Sequence, residues 1–412
     1  MNGNSRFRLA SPTGAWVWLL LLAIALLAMN LRAGATSVGP VLDEIKQALP
    51  LSDVGAGILT ALPGFVFAVA GLSAAGVARR VGLHRSLAAL LFAVGLGLAV
   101  RPYVPTGLFF VATVLALSGM AIGNVLAPVF VKRHFPNRIG SVMAVYTVCL
   151  AIGATVPTAA AQPLATVLPG GWRTSLAFWS LFAFAAMMTM IVVIVVGAGG
   201  TGLRLRGGMG SVAAVARSPK AWWIGIFFGL QSMNAYIHFG WAPQIYRDAG
   251  MDPVAAGWML TIITSLGIPG GFIVPPLLTR MRRPQVLVVG LAALLAGGYA
   301  GLLWAPLALP WLWALCLGVS GFCFPLALTL ISVRARDLDI TTGLSAFSQS
   351  LGYVMAGAGP LLIGVLVEMT GGWRIPLLVL LAGSGLLAVA GVLACRPGDV
   401  DDDVLRNTPA GG

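Results

Sequence analysis

Gly170-Gly171-Trp172-Arg173 recurs as Gly371-Gly372-Trp373-Arg374 in a chain of 412 residues. The echo extends in both directions. Met29-Asn30 returns as Met233-Asn234, the pair Arg79-Arg80 as the cluster Arg280, Arg282 and Arg283, and Arg133…Gly140 as Arg334…Gly343. One such match could be a shared habit of helix starts, with Trp at a membrane interface. Four matches at an offset of about 201–204 residues mark a duplicated unit.

The composition says what medium that unit lives in. Apolar residues make up 58% of the chain and charged residues 9%, where a soluble domain carries about 25%. Mean hydropathy is +0.94. These values exclude a disordered chain, a nucleic-acid-binding domain and an ordinary cytosolic enzyme. A helix crossing a bilayer needs about 20 apolar residues, so about twelve crossings fit. Hydropathy punctuated by Gly, Pro and charge places them at 15–46, 52–78, 84–101, 106–131, 139–166, 172–197, 221–247, 253–279, 285–304, 310–333, 341–369 and 373–395. Ala33-Gly34-Ala35 imitates a signal-peptidase site. Arg32 before it and eleven spans after it argue that the first helix is retained.

The charge is +13, from 25 Lys and Arg against 12 Asp and Glu. On one side of the expected membrane lie Arg6, Arg8, Arg79, Arg80, Arg85, Lys132, Arg133, Arg138, Arg204, Arg206, Arg217, Lys220, Arg280, Arg282, Arg283, Arg334, Arg336, Arg396 and Arg406. On the other lie only Lys46, Arg101, Arg173, Arg247 and Arg374, and Arg32 falls inside span 1. The positive-inside rule then puts both termini in the cytoplasm of a multi-pass inner-membrane protein. The charge reads as topology, not as a nucleic-acid footprint. Cys149, Cys316, Cys323 and Cys395 lie in or beside apolar runs without a CxxC pair and read as small hydrophobes.

The expected fold is therefore all-α: twelve transmembrane helices in two parallel six-helix pseudo-repeats, with a site near the midplane between them. The divisions are a bundle over 1–197, a cytoplasmic linker over 198–220, a second bundle over 221–396 and a cytoplasmic tail over 397–412. Residues 211–220 suit a short helix on the membrane surface.

Spans 3, 9 and 12 are almost purely apolar and read as lipid-facing walls. Spans 1, 4, 7 and 11 hold the polar side chains, which lipid tolerates only against protein or water. Arg32 sits about 17 residues into span 1, where an Arg costs about 2.5–3.5 kcal/mol on insertion scales. Asn30 precedes it, Thr36 follows one turn on, and no Asp or Glu lies deep in any span. Arg32 either faces substrate or snorkels to the interface. Gln231, Asn234, His238 and Trp241 draw one stripe along span 7, either lining a watery cavity or bonding neighbouring helices. His238 is the one span histidine, a packing residue or a proton carrier; His84 and His134 fall in loops. Asn124 lies in span 4, and Ser345, Gln349 and Tyr353 share a face of span 11. No metal site or cofactor is expected. With no nucleophile–base pair in the spans, neither is an enzyme.

These features resemble the major facilitator superfamily over nearly the whole chain. Its loop 2–3 pattern, G-x-L-a-D-r-x-G-r-k, meets Ala75-Gly76-Val77-Ala78-Arg79-Arg80-Val81-Gly82-Leu83-His84. Arg80 and Gly82 match, while the Gly is Ala75 and the Asp is Arg79. More narrowly, Asn30-Leu31-Arg32…Thr36-Ser37-Val38-Gly39-Pro40 and Gly123-Asn124-Val125-Leu126-Ala127-Pro128…Lys132-Arg133-His134-Phe135-Pro136 resemble the cyanate porter family. The resemblance implies alternating access, with a site lined by spans 1, 4, 7 and 10 and gated by 5, 8 and 11. It implies a small anion such as cyanate, or a planar heteroaromatic such as a nitroimidazole, as substrate. The expected binding set is Arg32, Asn30, Thr36, Asn124, Gln231, Asn234, His238, Trp241, Gln349 and Tyr353, with His238 as the group for proton symport. The expected cytoplasmic gate is Arg79, Arg80, Gly82, Arg85, Lys132, Arg133 and Arg280. The protein is expected to work as a monomer in the lipid bilayer; a drug or metabolite exporter is the rival reading.

Overall fold

Proline and glycine decide where these apolar helices bend. The computed structural model describes residues 14–135, 138–197 and 209–407. Arg6, Arg8, Arg204, Arg206 and Pro136 lie outside them, as do the side chains of Arg79 and Lys132. Among the described residues the secondary structure is helical, as a chain in lipid requires when every backbone polar group must be satisfied internally.

Span 1 runs Gly14–Thr36, breaks at a 3-10 turn over Gly39–Val41, and resumes as Leu42–Ala48. Pro40 has no N–H to give the helix. Gly39 lies so close to span 7 that a methyl there would fall 2.0 Å from the Phe239 carbonyl. Span 2 is Asp53–Ala70, extended through a 3-10 turn by Ala74–Val81. Span 3 is Leu83–Val100, span 4 Thr106–His134, span 5 Ile139–Val167, and span 6 Trp172–Phe178 with Ser180–Val196. Span 7 is Pro219–Asp248. Span 8 is Pro253–Ser265 with Gly267–Arg280, and span 9 Pro284–Trp304. Span 10 is Pro310–Ser320 with Cys323–Val333, span 11 Leu338–Thr370, and span 12 Arg374–Ala394. The unbroken helices expected for spans 1, 6, 8 and 10 are thus jointed.

Eleven of these elements are long and apolar enough to cross a membrane by composition alone. Span 7 is the exception. It has the length, and 20 of its 30 residues are buried, so protein rather than lipid surrounds its polar groups. Span 9 also departs from expectation: Tyr299 is wholly buried, so this helix turns a polar face inward.

Within the first half, span 1 packs on spans 5 and 6; within the second, span 7 packs on spans 11 and 12. The pseudo-symmetry reaches single contacts. Gly153 of span 5 abuts Met29 of span 1, and Gly359 of span 11 abuts Met233 of span 7. The halves meet chiefly through span 2 on span 11 and span 5 on span 8.

The 2–11 seam is built of glycine. A methyl on Gly64 would come within 2.2 Å of the Gly357 amide nitrogen, and one on Gly57 within 3.2 Å of Gly364. Two glycines one heptad apart on each helix let the backbones touch. The linker contributes a helix at Met209–Val215, lying on span 11, rather than the expected 211–220. The tail forms Val400–Asn407, with Val400 fully buried. All four cysteines are free, and no group of three metal-ligating side chains occurs among the described residues.

Candidate functional site

Arg32 projects between the halves. Its Nη1 donates to the Tyr236 hydroxyl of span 7 at 3.3 Å. Tyr353 of span 11 and Tyr146 of span 5 lie within electrostatic reach of the same guanidinium. Among the described residues Arg32 has no carboxylate partner. Tyr146 donates to Asn124 Oδ1 at 3.1 Å, which leaves the buried Asn124 Nδ2 donor unpartnered. Phe67 meets the edge of Tyr353 at 5.7 Å between centroids. A cation, tyrosine hydroxyls and a spare amide donor, with aromatic rings beside them, thus form a donor-rich cluster between the halves.

Of the expected binding set, Arg32, Asn124 and Tyr353 come together. Gln349, one turn from Tyr353, bonds Ser345 at 2.7 Å. Thr36 returns its hydroxyl to the Arg32 carbonyl at 3.2 Å and is fully buried. Asn30 turns the other way, donating to the Leu26 and Phe182 carbonyls.

The span 7 stripe separates from the Arg32 pocket. Positions two apart on a helix point about 200° apart, so Asn234 and His238 face away from Tyr236. Tyr299 donates to Asn234 Oδ1 at 2.6 Å, and His238 Nε2 lies 2.9 Å from the same hydroxyl. Tyr299 has one proton, so His238 must carry one on Nε2 and donate it. Trp241 donates to the Pro360 carbonyl at 3.0 Å, and Gln231 to Ser232 at 2.7 Å. Of the two readings of the stripe, the structure supports hydrogen bonding between helices for Asn234, His238 and Trp241.

Tyr236 and Tyr146 carry no charge or motif that marks them in the sequence; their signal is rarity, six tyrosines in the whole chain with both of these inside spans. Arg101, by sequence a charge at the membrane surface, lies deeper. Arg101 is wholly buried and donates to the Gly34 carbonyl at 3.1 Å, bracing span 1 two residues beyond Arg32.

Farther along span 1 the seam is clamped. Arg247 at the end of span 7 donates to Glu44 at 3.1 and 3.2 Å, to Asp43 at 3.2 Å and to the Pro40 carbonyl at 3.3 Å. Gln162 of span 5 adds a bond to Glu44 at 3.0 Å. Glu368 of span 11 accepts from the Val54 amide at 2.8 Å, and Thr158 meets Thr261 and Thr264 across the 5–8 seam. These ties all lie on the face opposite the basic loops, so that face is sealed. On the basic face Arg80, Arg85 and Arg280 are exposed, and Gly82 takes φ +90°, a turn that favours glycine.

Two six-helix halves of apolar helices, tied together on one side of a buried arginine between them, define the class: a polytopic membrane transporter. The chain belongs to the Major Facilitator Superfamily, whose family model matches residues 18–357. It is 34% identical to the uncharacterized transporter YycB of Bacillus subtilis (strain 168), over 92% of this chain and 93% of the relative. It is 31% identical to the 2-nitroimidazole transporter of Escherichia coli (strain K12), over 92% and 96%, and 31% identical to that organism's cyanate transport protein CynX, over 86% and 91%. The crystal structure of a D-xylose-proton symporter superposes with a TM-score of 0.74 at 12% identity, covering 94% of this chain and 99% of that one. The chain is a multi-pass membrane transporter of this group and not an enzyme.

Proposed function

We propose that the protein is a secondary transporter that carries a small planar anion, or a planar electronegative heteroaromatic, across the inner membrane by alternating access. One observation carries this reading: Arg32 lies between the halves with tyrosine hydroxyls around it and, among the described residues, no carboxylate to neutralise it. A guanidinium in such a place is stabilised when a ligand supplies the missing charge. Its fork of donors suits carboxylate-like or nitro-like oxygens, and the aromatic walls suit a flat body. Relatives named for 2-nitroimidazole and for cyanate fit that chemistry. The basic face is cytoplasmic by the positive-inside rule, so the conformation seen here is sealed to the outside. His238 is committed to Tyr299, and the reading assigns it no proton step.

Proteoliposome transport of cyanate, 2-nitroimidazole and benzoate, by the native protein and by Arg32→Lys, tests this. At least one probe should move and lose most of its transport in the variant. If any probe moves equally well in both, Arg32 is not the anchor.

A further inference from the structure

A second cavity, of about 470 Å³, opens on the sealed face among the ends of spans 7, 9 and 12. Its walls are apolar: Ile245, Leu302, Leu303 and Leu377. Its rim is polar, formed by Asp248, Trp373 and Arg374, and Trp304 beside it is 72% exposed. A wall for hydrocarbon under a rim of charge and tryptophan is the profile of the bilayer interface.

The repeat shows what is unusual here. In the first half, the position matching Asp248 is Glu44, which is spent on Arg247 and Gln162. The position matching Arg374 is Arg173, whose guanidinium rests on the Trp172 ring at 4.6 Å. There the carboxylate is taken up by a neighbouring cation and the half-buried guanidinium is held on a ring. In the second half Trp373 instead donates its indole N–H to Asp248 at 2.7 Å, and Gln244 donates to the other oxygen at 2.7 Å. These bonds fix the carboxylate but use only half its acceptor capacity. Arg374 is exposed, with no carboxylate partner among the described residues. The duplicated positions thus leave one oriented anion and one free cation on a single rim.

We propose that this cavity binds the headgroup of a phosphatidylethanolamine from the adjacent leaflet. Arg374 takes the phosphate through its planar fork, Asp248 takes the ammonium, and an acyl chain lies along Leu302, Leu303 and Leu377.

Native mass spectrometry of the delipidated full-length protein tests this, offering phosphatidylethanolamine, phosphatidylglycerol and phosphatidylcholine of matched chains. One phosphatidylethanolamine should be retained preferentially. Arg374→Gln should weaken its retention about tenfold, the scale of one lost charge-assisted contact. Asp248→Asn should erase the preference over phosphatidylglycerol while a lipid still binds. Arg173→Gln, at the matching position, should change nothing. Equal retention of all three lipids by the native protein, or unchanged retention in Arg374→Gln, overturns the proposal. So does displacement of the lipid by excess inorganic phosphate, which would make this a free-anion site.

Discussion

Arg32 and Tyr236 hydrogen-bond to each other at 3.3 Å and are 204 residues apart, so each occupies the other's position in the repeat. Asp43 and Arg247 do the same at 3.2 Å, also 204 residues apart. A residue that touches its own repeat mate lies on the pseudo-twofold axis. The pocket and the clamp are therefore two stations on one line between the halves. At each the duplication has diverged, into cation and hydroxyl at the pocket and into anion and cation at the clamp.

That line makes Tyr236 a working partner of Arg32. Tyr236→Phe should keep the fold and weaken transport by about tenfold to a hundredfold, since a hydrogen bond to a charged group is worth about 1.5–3 kcal/mol. Arg32→Lys should lose more, because an ammonium cannot reproduce the fork. Initial uptake rates at matched expression decide it; a Tyr236→Phe protein with native rates would leave Tyr236 as packing.

The fold was legible because its signals are repetitive: eleven strongly apolar runs and one mixed one, basic loops on alternate connections, and echoed motifs. Arg32 was legible because charge in a span is rare. Tyr236 and Tyr146 were not, since an aromatic with one hydroxyl reads as core until its neighbours are known; Tyr353 stood out only because it shares a face with Ser345 and Gln349. The partners of the span 7 stripe were hidden for a related reason. Periodicity shows that Asn234 and His238 share a face, but not that Tyr299, in an otherwise apolar helix, waits opposite. Asp43, Glu44 and Arg247 looked like interfacial charges because the break at Gly39 and Pro40, which folds the carboxylates toward span 7, has no hydropathy signature.

Removing the clamp should open the sealed face. Arg247→Gln takes away the cation that gathers Asp43 and Glu44, and Gly64→Leu forces spans 2 and 11 apart. Each should shift the population toward the state open on that face. A single cysteine placed at Thr60 should then label faster from that side. Unchanged labelling in both variants would mean that the seal resides in the rest of the 5–8 seam.

His238 is bonded to Tyr299, which bears on proton coupling. If His238 serves Tyr299 rather than protons, His238→Gln should leave the dependence of uptake on external pH as it is in the native protein. Tyr299→Phe, which strips partners from both Asn234 and His238, should cost about 1–3 kcal/mol of stability. Loss of the pH dependence in His238→Gln would restore the proton-carrier reading.

A different pH effect is expected at the basic face. His84 and His134 hold each other Nε2 to Nε2 at 2.7 Å, so one donates, one accepts, and the two cannot both be protonated there. Burial, then His84 and Arg133, hold His134 down at about 4 against an ordinary 6.5. Between those values the unfolded chain binds more protons, so stability falls as pH drops from about 6.5 toward 4. Melting of the purified protein should follow that slope, and His134→Gln should flatten it. An unchanged slope in the variant would point to other groups.

The basic face also carries a lopsided charge. Its acids, Asp337, Asp339, Asp399, Asp401, Asp402 and Asp403, all belong to the second half, and the first half contributes only Lys and Arg there. The acidic tail is anchored, not loose. Asp401 accepts from the Arg336 and Asp337 amides at 2.9 Å each, Asp403 from Ser218 at 2.6 Å, and Arg336 pairs with Asp399 and Asp402. Burial would raise the Asp401 carboxyl, but those amides hold it below its ordinary value. We predict that closure of this face brings Arg80 toward that acidic surface, in place of the acid that loop 2–3 lacks at Arg79. Exposed pairs are worth about 0.2–1 kcal/mol, so Arg80→Ala should shift the population toward the state described here by up to about fivefold. High salt should mimic the variant in the native protein. Cysteine labelling from both faces measures it, and if neither Arg80→Ala nor salt alters the labelling, the arginines of this loop serve topology alone.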